Sequence, residues 1–359
     1  MKDFYDATPE HIAKLSGPWC ASYSGGKDST SVVTWVEYLR RSGQITVDQP
    51  RLVRSDTGVE EQNLIVVADE LTELLEGFDW ECAVVQPLVN ERLYCQILGR
   101  GLPPIHPGVR RMRWCTRSTK IDPMNRWRDQ IEGQLSITGL RYGESDMRDG
   151  KLRKSSCAAG GECGIPDPGE GRYSPILHWR TCEVIDWLNG AVDKSVRRLM
   201  ADVFRVTRKL VEIYGCKIGQ PTLGFTEPEI EASRYGCIGC PAIGASAHAP
   251  ASVIRRNGRT SPLNELYDVW AFARRPENRL IGYRKGKQIM GPIRMPVRRV
   301  LFDRVMDIQQ RAGIVLVTPE DEKFIRGCWL RNVYPRGWSS ADEDVEAVGN
   351  EPLFAKDTP

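Results

Sequence analysis

Three features of the sequence predict an α/β protein with a doubly wound parallel sheet. Short apolar runs of strand length alternate with longer runs of helical periodicity. The first short run, Trp19–Tyr23, ends in the glycine-rich turn Ser24-Gly25-Gly26-Lys27-Asp28-Ser29-Thr30, and helical spacing resumes at Ser31. Polar clusters also follow the later short runs, which is where open α/β sheets gather their ligands.

The elements follow in order. His11 to Leu15 suggests a helix, stopped by Gly17-Pro18. Trp19–Tyr23 is the first strand, and Ser31 to Arg40 carries apolar residues at helical spacing. Arg51–Ser55 predicts a second strand ending in Ser55-Asp56-Thr57-Gly58. A periodic helix over Leu64 to Leu75 leads to a third strand at Glu81–Val85. A fourth strand, Leu135 to Thr138, runs into Gly139-Leu140-Arg141. Residues 149–172 break the alternation with glycines, Pro166, Pro168 and two cysteines. Tyr173 to Leu177, Trp179 and a helix start over Cys182 to Leu188 come next, then basic helical sequence over 195–214. A Gly/Pro-rich segment, Gly215 to Pro228, precedes Ser233-Arg234-Tyr235-Gly236-Cys237-Ile238-Gly239-Cys240-Pro241. Beyond Pro250 the pattern is helical and basic, and no internal repeat is present.

The expected organisation is a nucleotide domain over 1–190, a cysteine-bearing segment over 191–250, a basic helical region over 251–340 and an acidic tail over 341–359. Hydrophobic content of 41% and charged content of 27% fit a globular chain of 359 residues. No apolar run reaches the roughly 18 residues of a membrane span. The first residues, Met1-Lys2-Asp3-Phe4-Tyr5-Asp6, lack a secretion-signal pattern, so a cytoplasmic location is the expectation. Eleven cysteines, an odd number, favour metal or redox chemistry over a disulfide framework. Net charge is only +3, but Arg255 to Arg336 holds 18 Lys/Arg against 8 Asp/Glu.

The turn at 24–30 has the chemistry of a phosphate cradle. Two glycines permit a tight turn, the N–H groups at the helix start face an anion, and Lys27 adds a cation. It is not a Walker A loop, because its glycines are adjacent and Asp28 follows the lysine. The loop is expected to face the surface. Asp56, at a strand end, suits Mg²⁺, a ribose or a simple turn cap. Arg141 and Glu144 follow another strand end, where an arginine holds phosphate or forms a surface ion pair. Lys120 is either a phosphate contact or a solvated helix residue.

Cys237-x-x-Cys240 has the spacing of two ligands to one metal or cluster. With Cys115 and Cys216 it would supply four thiolates for a [4Fe–4S] cluster, or equally for zinc. Cys157 and Cys163 rival Cys216. Cys20, Cys82, Cys95 and Cys182 lie in apolar patterns and read as core. In the basic third, Arg255, Arg256, Arg259, Arg274, Arg275, Arg279, Arg284, Lys285, Lys287, Arg294, Arg298 and Arg299 interleave with Trp270, Phe272 and Tyr283. That pattern suits nucleic acid, a solvated helical face or an acidic partner.

The loop SGGKDST resembles the PP-loop of ATP pyrophosphatases, which split ATP between its α and β phosphates. Ser55-Asp56-Thr57-Gly58, Trp114-Cys115-Thr116-Arg117-Ser118-Thr119-Lys120-Ile121-Asp122-Pro123, Gly139-Leu140-Arg141 with Glu144-Ser145-Asp146-Met147-Arg148, and Tyr173-Ser174-Pro175-Ile176 with Trp179 follow in order. Over roughly residues 19–241 this series resembles the phosphoadenosine phosphosulfate reductase-like PP-loop family, with its adenine nucleotide alpha hydrolase-like fold. Within it, the cysteine motifs look most like the DNA phosphorothioation (Dnd/Ssp) enzymes. A true sulfonucleotide reductase ends in a Glu-Cys-Gly-Ile-His tail. Here the sequence ends Leu353-Phe354-Ala355-Lys356-Asp357-Thr358-Pro359, and the internal Glu162-Cys163-Gly164-Ile165-Pro166 is taken as coincidence.

The resemblance implies an ATP pyrophosphatase that adenylates a DNA backbone phosphate, so that sulfur from a cysteine desulfurase replaces a non-bridging oxygen. It implies ATP, Mg²⁺ and a [4Fe–4S] cluster as cofactors. DNA, the desulfurase and other modification-system proteins are the implied partners, and a homodimer is compatible with it. The nucleotide would contact Ser24, Gly25, Gly26, Lys27, Asp28, Ser29, Thr30, Asp56, Thr57, Gly139, Arg141 and Glu144, with Lys27, Asp28, Asp56 and Arg141 in catalytic roles. In the reductases a cysteine at the Cys115 position, five before the lysine, joins a CxxC as a cluster ligand. The rival readings are a tRNA-thiolating PP-loop enzyme, a sulfonucleotide reductase and a non-catalytic nucleotide-binding module.

Overall fold

The computed structural model describes residues 3–105, 113–131, 135–142, 172–214, 237–240, 261–284 and 287–344. They fall in two compact units. One comprises Met1–Asp56, Glu60–Gln86 and Asp122–Gly236, and the other Thr57–Val59, Pro87–Ile121 and Cys237–Pro359.

The first unit contains a five-stranded parallel sheet. Its strands are β1 (Trp19–Tyr23), β2 (Arg51–Ser55), β3 (Glu81–Val85), β4 (Leu135–Ile137) and β5 (Arg172–Tyr173), in the order β3-β2-β1-β4-β5. β1 is central, pairing with β2 through Ala21↔Leu52 and with β4 through Cys20↔Ser136. A strand hydrogen-bonded on both edges and covered on both faces reads as an apolar run, as Trp19-Cys20-Ala21 does. β3 at the sheet edge is only half-buried, and Val84 is exposed there. Chain order reverses on either side of β1: β2 and β3 extend the sheet one way, β4 and β5 the other. That reversal lies between β1 and β4, the place where such sheets open a ligand crevice at their carboxyl ends.

Helices flank the sheet. α1 (Pro9–Leu15) starts with a reciprocal cap: Thr8 Oγ1 accepts from His11 N at 3.2 Å, and Thr8 N donates to His11 Nδ1 at 3.1 Å. α2 (Lys27–Arg41) is buried at nearly every residue of its first three turns. α3 (Gln62–Glu76) buries Leu64, Val67, Ala68, Leu71 and Leu75, the stripe its periodicity foretold. α4 (Asp122–Arg128) precedes β4. α5 (Thr181–Asn189) ends on Gly190, whose left-handed φ of 70° closes the helix. The basic run over 195–214 is two helices, α6 (Lys194–Leu199) and α7 (Ala201–Ile213), broken at Met200. Trp19, Trp35, Trp187 and Phe204 fill the core of this unit.

The second unit has its own core, including Tyr94, Leu98, Trp270, Phe302 and Ile325. Its main elements are α8 (Leu266–Arg274), an antiparallel hairpin β6 (Arg279–Arg284) and β7 (Lys287–Ile293), α9 (Met295–Ala312) and α10 (Pro319–Leu330). The hairpin adds a β element to a region expected to be helical. Its strands lack the strict alternation that marks a half-buried strand, because Gly282, Gly291 and Pro292 interrupt the apolar residues. No helix among the described residues is long and apolar enough to cross a membrane.

Candidate functional site

The glycine-rich turn lies where the sheet reverses. β1 ends at Tyr23, Gly25 takes a φ of 72°, and Gly26 is the N-cap of α2 with no side-chain cap of its own. The left-handed turn explains the first glycine, and its α-carbon also faces Ala68, whose Cβ would lie 3.3 Å from an added methyl. An uncapped helix start directs its first N–H groups outward with a partial positive charge. Serine hydroxyls brace the loop. Ser29 Oγ donates to Gly26 O at 3.0 Å, so its one proton is committed, and Ser24 Oγ is then the donor in the 3.0 Å contact with Ser29 Oγ. Ser24 N donates to the same oxygen at 3.2 Å.

Lys27 corrects the expectation of a surface-facing loop. It is buried, its Nζ lies 2.7 Å from Asp28 Oδ2, and only 10% of its side chain is exposed. Ser29 and Thr30 are buried with it, while Ser24 is exposed. Packing of α2 against the sheet draws its first turn inward. Asp28 also accepts from Arg141 Nε at 2.5 Å. Arg141 is 2% exposed and donates further to Trp179 O at 2.9 Å and Thr181 Oγ1 at 3.2 Å. The guanidinium is thus turned into the unit as a clamp between the loop, the β4 end and the start of α5.

Gly139 shows how closely the β4 end meets the loop. A Cβ there would sit 2.8 Å from Asp28 C and 2.8 Å from Ser29 N, so only glycine fits. Tyr214 is a loop neighbour that sequence reasoning missed. Its hydroxyl accepts from Lys27 N at 3.4 Å. Nothing in the chain could have signalled a partner 187 residues away. Asp56 follows β2, donates its N–H to Val85 O at 2.8 Å and accepts from Gln86 Nε2 at 3.0 Å. Thr57 lies in the second unit, buried, with Oγ1 accepting from Val59 N at 3.4 Å. Glu144 lies outside the described residues.

Among the cysteine candidates, Cys115, Cys237 and Cys240 belong to the second unit. Cys237 to Cys240 forms a tight turn: Cys240 N donates to Cys237 O at 3.1 Å, and Gly239 adopts a φ of 60°. Trp270 Nε1 anchors it by donating to Gly239 O at 2.6 Å. Burial raises the Cys115 thiol pKa, and the neighbouring Cys237 adds to the shift. No group of three Cys, His, Asp or Glu among the described residues could hold a metal ion. Cys216, Cys157 and Cys163 lie outside them. Cys20 and Cys95 are buried, whereas Cys82 and Cys182 are half-buried. Lys120, in a π-helical turn over Arg117–Ile121, is half-buried.

The basic third divides sharply. Arg298 is fully buried and donates to the carbonyls of Ile293, Gly99 and Val333. Arg279 is buried against the Gly291 carbonyl. Burial lowers the pKa of both, to about 10, which leaves them charged at neutral pH. These two arginines hold the fold and leave the proposed basic surface. Arg274 and Arg294 are half-buried, Trp270 is core, and Arg275, Lys287, Arg299 and Tyr283 remain exposed. Arg255, Arg256, Arg259 and Lys285 lie outside the described residues.

Residues 18–196 match the phosphoadenosine phosphosulfate reductase domain model. A phosphate complex of phosphoadenylyl-sulfate (PAPS) reductase from Candida auris aligns over 52% of this chain and 89% of that one, at 10% identity and a TM-score of 0.32. No curated protein matches the chain. The domain match coincides with the five parallel strands and includes the loop, the β4 end and Arg141, so the segment 18–196 is similar to the phosphoadenosine phosphosulfate reductase domain family.

Proposed function

We propose that the chain is a PP-loop ATP pyrophosphatase acting in sulfur transfer to a nucleic-acid backbone. The observation that carries this reading is the uncapped start of α2 at the sheet's reversal point, with Lys27 in its first turn. ATP would lie with its phosphates on Ser24 to Thr30, with Asp56 available to a Mg²⁺ ion. A non-bridging oxygen of a DNA phosphate attacks the α-phosphorus, and pyrophosphate leaves. The loop N–H groups and Lys27 stabilise the charge developing on the leaving group. The terminal persulfide sulfur carried by a cysteine desulfurase then attacks the adenylated DNA phosphorus, and a dithiol reductant cleaves the resulting S–S bond, leaving the phosphorothioate and the desulfurase thiol. AMP departs with the original oxygen.

Arg141 acts here as a positioning residue, since its donors hold Asp28, Trp179 and Thr181. The proposed [4Fe–4S] cluster would take Cys115, Cys237, Cys240 and Cys216, with zinc as the alternative occupant. Because the described residues supply no metal-holding group of three, no step is routed through it.

The domain match favours one second reading, a sulfonucleotide reductase. The two differ in products. With ATP, a desulfurase, cysteine, a dithiol and DNA, the first yields AMP, pyrophosphate and nuclease-resistant phosphorothioate dinucleotides by mass spectrometry. With phosphoadenosine phosphosulfate and a dithiol, the second yields sulfite. Lys27→Ala is expected to abolish pyrophosphate release. Release at the wild-type rate in that variant would remove the PP-loop assignment, and sulfite formation without ATP turnover would establish the reductase.

A further inference from the structure

We propose that Tyr142 and His178, beside the nucleotide loop, form a stacking platform for an unpaired base of the nucleic-acid strand. The proposal rests on the nucleic-acid part of the reading above and specifies where the strand is held.

The first support is the ring pair itself. The Tyr142 and His178 rings have centroids 5.3 Å apart and are tilted by 47°. Trp35, Trp179 and Trp187, at the centre of the other ring contacts of this unit, are buried, and core packing accounts for them. Tyr142 is half-buried and His178 is exposed, so the pair reaches the surface. An exposed ring offers its face to a base of any identity, because every base has a π-face, and the base must be unpaired to use it.

The second support is the mounting. Tyr142 N donates to Leu177 O at 3.0 Å, and Arg141 Nη1 donates to Trp179 O at 2.9 Å. Leu177 and Trp179, the chain neighbours of His178, are buried. The two segments are therefore tied together on both sides of His178, and the backbone under the rings is fixed before a ligand arrives. A preordered platform loses little freedom on binding.

The third support is position. A Cβ at Gly139 would sit 2.8 Å from Asp28 C, so the β4 end lies directly on the loop. Tyr142 is three residues further on, a length of chain that spans at most about 11 Å. A strand whose phosphate lies on the loop brings its neighbouring bases to that distance. The adenine of ATP offers the same face, but a strand also carries a phosphate on each side of every base. Arg180, two residues from His178, is there to meet one: its side chain is 68% exposed. Its contact with Glu183 at 3.0 Å is a helix-surface pair of a weak class that a backbone phosphate replaces.

The test uses the full chain and a labelled single-stranded oligonucleotide, the same strand with abasic sites in place of its bases, and its duplex. Binding is followed by fluorescence anisotropy across a salt series, and ATP binding by calorimetry. The wild type is expected to prefer the intact single strand over both other forms, since a duplex must first extrude a base. His178→Ala and Tyr142→Ala should each weaken single-strand binding roughly 5- to 150-fold, the range of one lost stacking contact, while His178→Phe and Tyr142→Phe retain it. Arg180→Gln should lower the slope of log affinity against log salt by about 0.7, one phosphate contact on a single strand. ATP affinity should keep its wild-type value throughout. His178 is exposed, so its alanine variant should melt at the wild-type temperature, which separates a lost contact from a lost fold. Wild-type strand affinity in the His178→Ala protein, equal binding of the abasic strand, preference for the duplex or no strand binding at all overturns the platform. Loss of ATP affinity in place of strand affinity assigns the rings to adenine and also overturns it. Absence of pyrophosphate formation from ATP, with strand binding present and weakened in the alanine variants, defeats the proposed reaction and leaves the platform standing.

Discussion

Arg141 Nε donates to Asp28 Oδ1 at 2.5 Å, joining the end of β4 to the first turn of α2. The same guanidinium holds Trp179 O and Thr181 Oγ1, so one buried side chain fixes three segments. Removing one partner of a buried charge pair leaves the other uncompensated and costs about 3–5 kcal/mol. Asp28 keeps Lys27 as a second cation, so Arg141→Met is expected to cost less, about 1.5–3 kcal/mol by denaturant unfolding. Asp28→Asn should couple with it, with a double-mutant interaction term of roughly 0.5–3 kcal/mol. Additive effects would show that the pair does not act as a unit.

Gly139→Ala tests whether the β4 end shapes the loop. A methyl group there meets the backbone of Asp28 and Ser29 at 2.8 Å, and backbone yields less readily than the end of a flexible side chain. Expected are a destabilisation of about 1–3 kcal/mol from overpacking and a marked loss of ATP affinity by calorimetry. Gly43→Ala is the control. It strains a φ of 72° in open space, so it should cost about 1–2 kcal/mol and leave ATP affinity unchanged.

Tyr214→Phe removes one hydroxyl beside the loop and nothing else. In the proposed complex a phosphate oxygen takes the Lys27 N–H, and the Tyr214 hydroxyl turns to donate to that oxygen. The variant should fold normally and bind ATP about 5- to 10-fold more weakly, the value of one neutral hydrogen bond. Equal affinities would exclude Tyr214 from the phosphate site.

Anaerobically purified protein should be brown, with broad absorbance near ~400 nm from thiolate-bound iron. Cys115→Ser and Cys237→Ser should each bleach it. Colourless protein with one equivalent of zinc would replace the iron–sulfur proposal with a structural zinc site.

Alkaline titration reads the buried tyrosines. Burial pushes the hydroxyls of Tyr23 and Tyr334 up to about 12, and those of Tyr5 and Tyr94 higher still. Glu343 adds to the shift at Tyr334, whose hydroxyl donates to it at 3.0 Å. A raised acid pKa means the folded state keeps a proton that the unfolded state loses. Their contribution to stability is therefore complete below about pH 10 and falls as pH rises toward 12. Absorbance at the phenolate band should show these tyrosines ionising only with unfolding. Ionisation of all tyrosines near pH ~10 before unfolding would contradict the packing described.

Local chemistry made much of the first unit legible. Trp19–Tyr23 and Glu81–Val85 were predicted to the residue because apolar runs bounded by turn residues leave little freedom. The loop was legible because two adjacent glycines before a lysine at a helix start have few other uses. The hairpin was not, since its glycines serve a distant Trp338 and interrupt the periodicity that marks a strand. Arginine charge was legible, but its direction was not. Arg298 and Arg299 are neighbours on one helix, one fully buried and one exposed.

The sequence by itself determined the alternation of strands and helices, the glycine loop and the spacing of Cys237 and Cys240, because each depends on residues close together in the chain. Only the tertiary structure decided that Lys27 is buried, that Arg141 clamps Asp28, and that Tyr214 reaches Lys27. Those contacts join residues 113 and 187 positions apart, and their geometry arises only when the helices dock on the sheet. Periodicity reports which side of an element is apolar. It does not report which distant backbone group a long polar side chain will meet once that side is buried.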